Sequence, residues 1–569
     1  MADGSSDVTI GKATTASKSF DKSHPVSAKT QYGSIEGFVH TADDGTKSNV
    51  FLGIPFATPP VGELRFERPV PPQNWNETLQ CKEFRNSCIP YVKHWIQNPT
   101  FSEDCLYVNI IAPAKPSSDP KGYPVLVYIH GGGFGFGDVI KCGFDKITKN
   151  YASRELITVT VPYRVGLYGF MSLGTAEDPG NLGLWDQTAA LKFVKNNIKN
   201  FGGNDENITI WGQSAGSASV DLMAMSPHSR DYFHKVIQAS GSALDEWAST
   251  APVVKITKQI AKFMGCESEE PKEIKAFLKK QKWEDILEIS STKFDPNDKT
   301  KDNYIGFGPR LDDEFFDGKT VEQLIEESPK KPTIMGLMTL EGGIFLAIGL
   351  TPDDLKTYSG KNISNAIKYR YAAESRAGKD APALQKDLIE YFVNRDAPTS
   401  PNPQFYLQRH GELASDLMFN QEVFKEADLK TKLGWPVYFY FWNHMSKAMY
   451  AATGNITKGA WHSYELSYSF DQQTYPQDVK GPDEMKVQNY FADIFAQFAK
   501  TGNPKSDTIP FPLYTVEKQE ALWIDPELSV RSKVWEDRRR FWDNVTEKYD
   551  YNVLRGRTRE QMKNRYTDF

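Results

Sequence analysis

The chain has 569 residues, 39% hydrophobic, 25% charged and 13% aromatic, with a net charge of −6. This balance suits a folded protein with ample core material and excludes a disordered or fibrous one. The mild acidity leaves no footprint for nucleic acid or an anionic membrane, and no run approaches the roughly 18 apolar residues of a spanning helix.

Residues 1–30 are polar and rich in Ser and Lys, lack a basic-then-apolar leader, and read as a disordered arm. The closing Tyr566-Thr567-Asp568-Phe569 matches no retention or prenylation signal, and residues 546–569 read as a charged tail. The expectation is a cytoplasmic protein; a secretory route would need a different start. Asn76, Asn207, Asn362, Asn455 and Asn544 head glycosylation sequons, close to the roughly four that chance supplies at ordinary residue frequencies.

Structure begins near Gln31. Tyr32–Val39 alternates like a strand, Asp43-Asp44-Gly45 is a turn, and Asn49–Ile54 completes an antiparallel hairpin. Prolines between Pro55 and Pro72 then enforce an extended path. Asp104–Ile111, Pro124–His130 and Ile157–Val161 read as strands, the second a continuous apolar run of the kind buried on both faces. Trp185–Asn197 has helical spacing and stops at Phe201-Gly202-Gly203-Asn204. Ile208–Gln213 and Lys235–Gln238 are further strands. Helical segments follow at Pro252–Phe263, Lys272–Lys280 and Trp283–Glu288, then a short strand at Thr333–Leu337. Glu412–Lys425 reads as a helix, Val437–Trp442 as a strong strand, and Lys486–Lys500 as a helix ended by Gly502 and Pro504. Buried strands alternating with helices predict a mostly parallel doubly wound sheet. With no repeat and no linker, residues 31–545 are expected to form one domain with an elaborated helical cap.

Three stretches carry chemistry. Ile208-Thr209-Ile210-Trp211 runs into Gly212-Gln213-Ser214-Ala215-Gly216, and a small-residue helix follows. The Gly-x-Ser-x-Gly pattern in that context is a nucleophile elbow, lifting Ser214 Oγ out beside a helix N-terminus. Gly131-Gly132-Gly133 directly follows a buried strand and can turn backbone N–H groups toward one point, as an ester oxyanion needs. A serine at neutral pH needs a base. Of nine histidines, His462 lies on a loop downstream of the elbow; His94, His228, His234, His410 and His444 read as surface or packing residues. The acid must lie between in the order nucleophile, acid, base, and Glu341 follows the Thr333 strand, with Asp312, Asp313 and Asp416 as competitors.

These residues, with Gly53-Ile54-Pro55-Phe56-Ala57, Leu64-Arg65-Phe66, Ser102-Glu103-Asp104-Cys105, Asn181–Gln187, Gln238–Ser242 and Phe498–Pro504, resemble the type-B carboxylesterases. This is the cholinesterase-like branch of the α/β-hydrolases, and within it the chain looks like the gut carboxylesterases of invertebrates such as nematodes. The resemblance covers about Gln31 to Trp542. It implies an α/β-hydrolase fold, Ser214 as nucleophile, Glu341 as acid and His462 as base. It further implies the N–H groups of Gly132, Gly133 and Ala215 as oxyanion hole, a small-molecule ester as substrate, and neither metal nor cofactor. Two other classes stay open: acyl transfer to an alcohol or sugar by the same residues, and an inactive neuroligin-like binding module, whose members lack triad residues that this chain retains.

Gln213 stands where the family usually has Glu, Ser463 and Tyr464 replace a common Gly and acidic residue, and Leu337 or Met338 a frequent polar one. Five cysteines cannot all pair within the chain. Cys88 and Cys105 match the family's first disulfide, expected mostly reduced in a cytoplasmic chain. Cys266 matches half of a second bridge whose partner position holds Phe277. Between Cys88 and Cys105 the loop is short, and Lys93 beside Trp95 would repel a cation, so neutral aliphatic or aryl esters are expected over choline esters.

Overall fold

A computed structural model describes residues 21–95, 100–249, 252–294, 306–348, 350–471, 475 and 481–563. In chain order the strands are β1 (Pro25–Lys29), β2 (Ser34–Thr41), β3 (Lys47–Pro55), β4 (Leu79–Gln80), β5 (Tyr107–Pro113), β6 (Tyr123–Ile129) and β7 (Ile157–Val161). There follow β8 (Gly203–Gln213), β9 (Lys235–Ala239), β10 (Thr333–Met338), β11 (Val437–Trp442), β12 (Glu520–Ile524) and β13 (Ser529–Ser532).

They form one sheet in the order β1-β2-β3-β5-β7-β6-β8-β9-β10-β11-β12-β13, with β4 beside β2. Pairing is antiparallel from β1 to β7 and parallel from β7 to β12. The N-terminal antiparallel hairpin and the parallel centre are those expected of an α/β-hydrolase. Strands β7, β9, β10 and β11 are buried at every position, so both faces must be covered. The period of two divides each strand between two cores. Val125, Val127, Ile129, Ile208 and Ile210 join Leu191, Val194, Ala218 and Leu222 on one face. Leu126, Tyr128 and Trp211 join Phe491 and Phe495 on the other. No helix among the described residues is long and apolar enough to cross a membrane.

Much of the motif set outside Ser214, Glu341 and His462 serves as joints. Arg65 Nε meets Glu103 Oε2 at 2.6 Å, and Arg164 is held by both oxygens of Asp186 at 2.7 and 2.8 Å, each side chain almost fully buried. Burying one of these charges without its partner would be costly, so the pairs fix how the elements dock.

Several expectations need correction. The arm assigned to residues 1–30 includes β1, whose Pro25–Lys29 pairs with Phe38–Ser34; its alternation was masked by flanking Ser and Lys. The charged tail assigned to residues 546–569 is packed as far as it is described. Tyr551, Val553 and Leu554 are buried, Tyr551–Asn552 pairs with Arg557–Thr558, and Arg555 ion-pairs with Glu422 and Glu322. Apolar residues interleaved with charges hid this from composition. The expected reduced state of Cys88 and Cys105 also differs, because the two form a disulfide. Hydrogen bonds joining Ser87 to Thr100 and Ser102 bring the loop ends together, with the two Cα atoms 5.1 Å apart. Cys81, Cys142 and Cys266 are free.

Candidate active site

Ser214 follows the last residue of β8 and precedes the helix Ala215–Met225. Its backbone has φ 58° and ψ −125°, a conformation a serine adopts only where surroundings impose it. Here they do: a Cβ on Gly212 would lie 1.9 Å from the Gly216 carbonyl oxygen, and one on Gly216 would lie 2.1 Å from that of Ile129. Only glycines let strand, turn and helix approach so closely. The Ser214 N–H donates to the Ala239 carbonyl at 2.8 Å, tying the elbow to the end of β9.

Glu341 lies three residues past β10, and its carboxylate is fully buried. Oε1 accepts from the Met338 N–H at 2.7 Å, and Oε2 lies 2.5 Å from His462 Nδ1. That contact requires the proton on Nδ1, leaving a lone pair on Nε2. The loops that carry Glu341 and His462 are laced together beside it: the Leu340 N–H donates to Ala460 O at 2.8 Å, and the Ala460 N–H to Thr339 Oγ1 at 3.0 Å. On the far side, Tyr475 OH donates to the His462 carbonyl. Ser214, Glu341 and His462 thus all sit past the C-terminal ends of parallel strands, where open α/β sheets place their sites.

The glycine loop after β6 passes directly against Ser214, since a Cβ on Gly131 would stand 2.9 Å from Ser214 Cβ. Gly132 has φ 112° and Gly133 φ 57°, which leaves their N–H groups without acceptors among the described residues. Ala215 opens its helix, so its N–H lacks an intrahelical partner as well.

His462 Nε2 is not bonded to Ser214 here. Gln213 Nε2 lies 3.3 Å from it, so the residue that departs from the family pattern donates to this imidazole nitrogen. Sequence reasoning missed this contact, and also the rings around the imidazole: Phe419 at 4.5 Å and Phe345 at 5.4 Å between centroids. Phe345 stands four residues after Glu341 and could have been suspected; nothing in the helical spacing singles out Phe419.

The competing acids lie elsewhere. Asp416 is taken by Arg538 and Trp542. Asp312 accepts from Asn181 and the Phe315 N–H, burial pushing its carboxyl up to about 6, and Asp313 is exposed. Among the other histidines, His410 is buried between Tyr358 and Tyr371, and His228 is exposed. Lys93 is ion-paired with Glu288, so the repulsion expected of it toward a cation is largely cancelled; residues 96–99 of the same loop lie outside the described residues.

A second buried carboxyl lies near Glu341. Glu465 has both oxygens enclosed and without a hydrogen-bond partner among the described residues, and burial, with a smaller contribution from Glu341, pushes it up to about 8. Its surroundings thus favour the neutral form.

The chain's similarity to known proteins agrees with this geometry. Residues 24–542 match the model of the carboxylesterase family. The chain is 34% identical to gut esterase 1 of Caenorhabditis elegans over 92% of its own length and 94% of that protein's. It is 32% identical to the juvenile hormone esterase of Tribolium castaneum over 85% of each chain. With the cholinesterase of Mus musculus it shares 30% identity over 92% of this chain and 88% of that one. On the sheet topology, the elbow and these matches together, the chain is an enzyme belonging to the carboxylesterase family.

Proposed function

We propose that the protein is a serine carboxylic-ester hydrolase acting on neutral esters through an acyl-enzyme on Ser214. The observation supporting it most is the buried 2.5 Å contact of Glu341 with His462 Nδ1, which leaves Nε2 basic at the edge where the elbow presents Ser214. In acylation, Nε2 takes the Ser214 proton as Oγ attacks the ester carbonyl, and the N–H groups of Gly132, Gly133 and Ala215 receive the oxyanion. The imidazolium then protonates the leaving alcohol. A water enters and gives its proton to Nε2 as it attacks the acyl carbon; the C–Oγ bond then breaks, and the imidazolium returns the proton to Ser214 Oγ as the acid leaves. The Glu341 carboxylate orients His462 and stabilises the imidazolium in both halves. Preference for neutral esters rests on the shortness of the Cys88–Cys105 loop in the sequence.

The test is covalent labelling with a fluorophosphonate and mapping of the label. Attachment at Ser214, lost in Ser214→Ala and His462→Ala, is expected; an unlabelled native protein would support a binding module instead. Product analysis with added alcohols separates hydrolysis from acyl transfer, since a transferase would divert most acyl groups to the alcohol. A kcat/KM for acetylcholine above that for an uncharged acetate would overturn the neutral-ester preference.

A further inference from the structure

Past residue 542, where the match to the family model ends, the chain folds back on itself. Tyr551–Asn552 pairs with Arg557–Thr558, and buried Tyr551, Val553 and Leu554 hold this hairpin against the body. Arg555 and Arg557 flank its Gly556. Arg555 ion-pairs with Glu322 at 3.0 Å and with Glu422. Glu422 stands two residues past a π turn, Asp416–Asn420, that interrupts the helical run between Pro403–Ser415 and Gln421–Lys432. Arg557 Nη2 donates to the Ser249 carbonyl at 3.1 Å.

A third guanidinium lies against the backbone between these two, because a Cβ on Gly556 would stand 2.8 Å from Arg376 Nη2. Arg376 ion-pairs with Glu246, and Arg370 feels the charges of both. The local charges do not balance. Among the described residues the carboxylates acting on the four arginines are Glu246, Glu322 and Glu422, and Glu422 is shared with Lys425 at 2.9 Å. Asp245, also near Arg555, is pushed well up toward its neutral form by burial. With Lys425 counted, positive charge exceeds negative by two.

Arg557 bears the shortfall. Its Nε is buried with no hydrogen-bond partner among the described residues. Burial, with Arg555 repelling it, pulls this guanidinium below its ordinary value in spite of Glu246 and Glu322. Arg370 is lowered as well, by burial and by the repulsion of Arg376. An ionised donor enclosed without an acceptor is costly. Guanidinium forks match the oxygens of a phosphate two at a time, and a phosphate dianion cancels an excess of two charges where one carboxylate would not. We propose that Arg370, Arg376, Arg555 and Arg557 form a binding site for a phosphate group, free or carried on a small organic molecule, and that the anion supplies the acceptor that Arg557 Nε lacks.

The test is titration calorimetry with inorganic phosphate at pH 7, chloride holding the ionic strength fixed. Wild type is expected to bind a single phosphate, and Arg557→Gln to bind it about tenfold or more weakly, the worth of one hydrogen bond to a charged group. Glu246→Gln removes a competing carboxylate, so it is expected to bind more tightly than wild type, and it carries the test if the Arg557 variant does not accumulate. Phenyl phosphate and acetate complete the set. Phenyl phosphate binding above inorganic phosphate marks an organic occupant and below it the free ion, either of which supports the site, while acetate is expected to bind more weakly than both. Four results overturn the proposal: no saturable binding, equal affinity in wild type and Arg557→Gln, no gain of affinity in Glu246→Gln, or acetate binding as well as phosphate. Phosphate lodged at Ser214 instead would give the second of these.

Discussion

Glu341→Gln isolates the charge of the buried acid from its shape. In the proposed mechanism the Ser214 proton reaches His462, and a carboxylate and an imidazolium then face each other across a 2.5 Å contact, one group fully buried and the other 4% exposed. Unit charges with centres about 4 Å apart attract by about 4 kcal/mol at an effective dielectric near 20, and losing that from the transition state costs about a thousandfold in rate. The amide adds a second loss. Its oxygen can still accept from the Met338 N–H, but its NH₂ then faces Nδ1 and favours the tautomer with the proton on Nε2, which cannot accept from serine. The expected outcome is a fall in kcat of about a thousandfold or more, KM within a few-fold of wild type, and an equally slowed reaction with fluorophosphonate. Steady-state kinetics on p-nitrophenyl acetate, with a thermal melt to confirm folding, decides it. A loss below about tenfold in well-folded protein would refute the assignment of the acid; neither Asp312 nor Asp416 is placed to substitute, both being held by other residues.

Two other perturbations follow from the same surroundings. Gln213→Met removes the donor that occupies His462 Nε2 in the resting site, so reaction of Ser214 with fluorophosphonate should speed up by about two- to tenfold, the worth of one hydrogen bond; a slower reaction would mean that the amide supports the base. Glu465 titrates at about 8 when folded against 4.5 as a free side chain. The native state therefore binds more protons than the unfolded one between about 4.5 and about 8, and wild-type stability falls as pH rises through that window, then levels off. Glu465→Gln lacks this loss, so its Tm relative to wild type should climb from pH 5 to pH 8. A constant difference across that range would show that the carboxyl is ionised in the fold.

What the sequence disclosed was whatever depends on short-range pattern. Val437–Trp442 is found at the residues its apolar run marked, and the elbow was legible because Gly212 and Gly216 sit where the chain doubles back. Glu341 and His462 were found through chain order and resemblance, and their contact needed the fold. The helix expected at Glu412–Lys425 is real in part, but periodicity cannot reveal an inserted residue, so the π turn and the placing of Phe419 were invisible. Strands β12 and β13 were missed because they are short and β13 is largely exposed. The role of Gln213 depends on a partner 249 positions away, beyond the reach of any local pattern.

The lacing of the acid loop to the base loop bears on how such an enzyme can change over time. Glu341 and His462 are 121 residues apart, and the chain between them includes the cap helices from Pro352 onward, the π turn and β11. Because Leu340 and Thr339 clasp Ala460 directly, the spacing of acid and base is set locally by two hydrogen bonds, whatever path the intervening chain takes. Insertions, deletions and drift in that long excursion can remodel what the enzyme accepts while Glu341 and His462 keep their mutual geometry. The clasp separates the heritable chemistry of the site from its variable taste, much as a fixed hinge allows a door to be replaced.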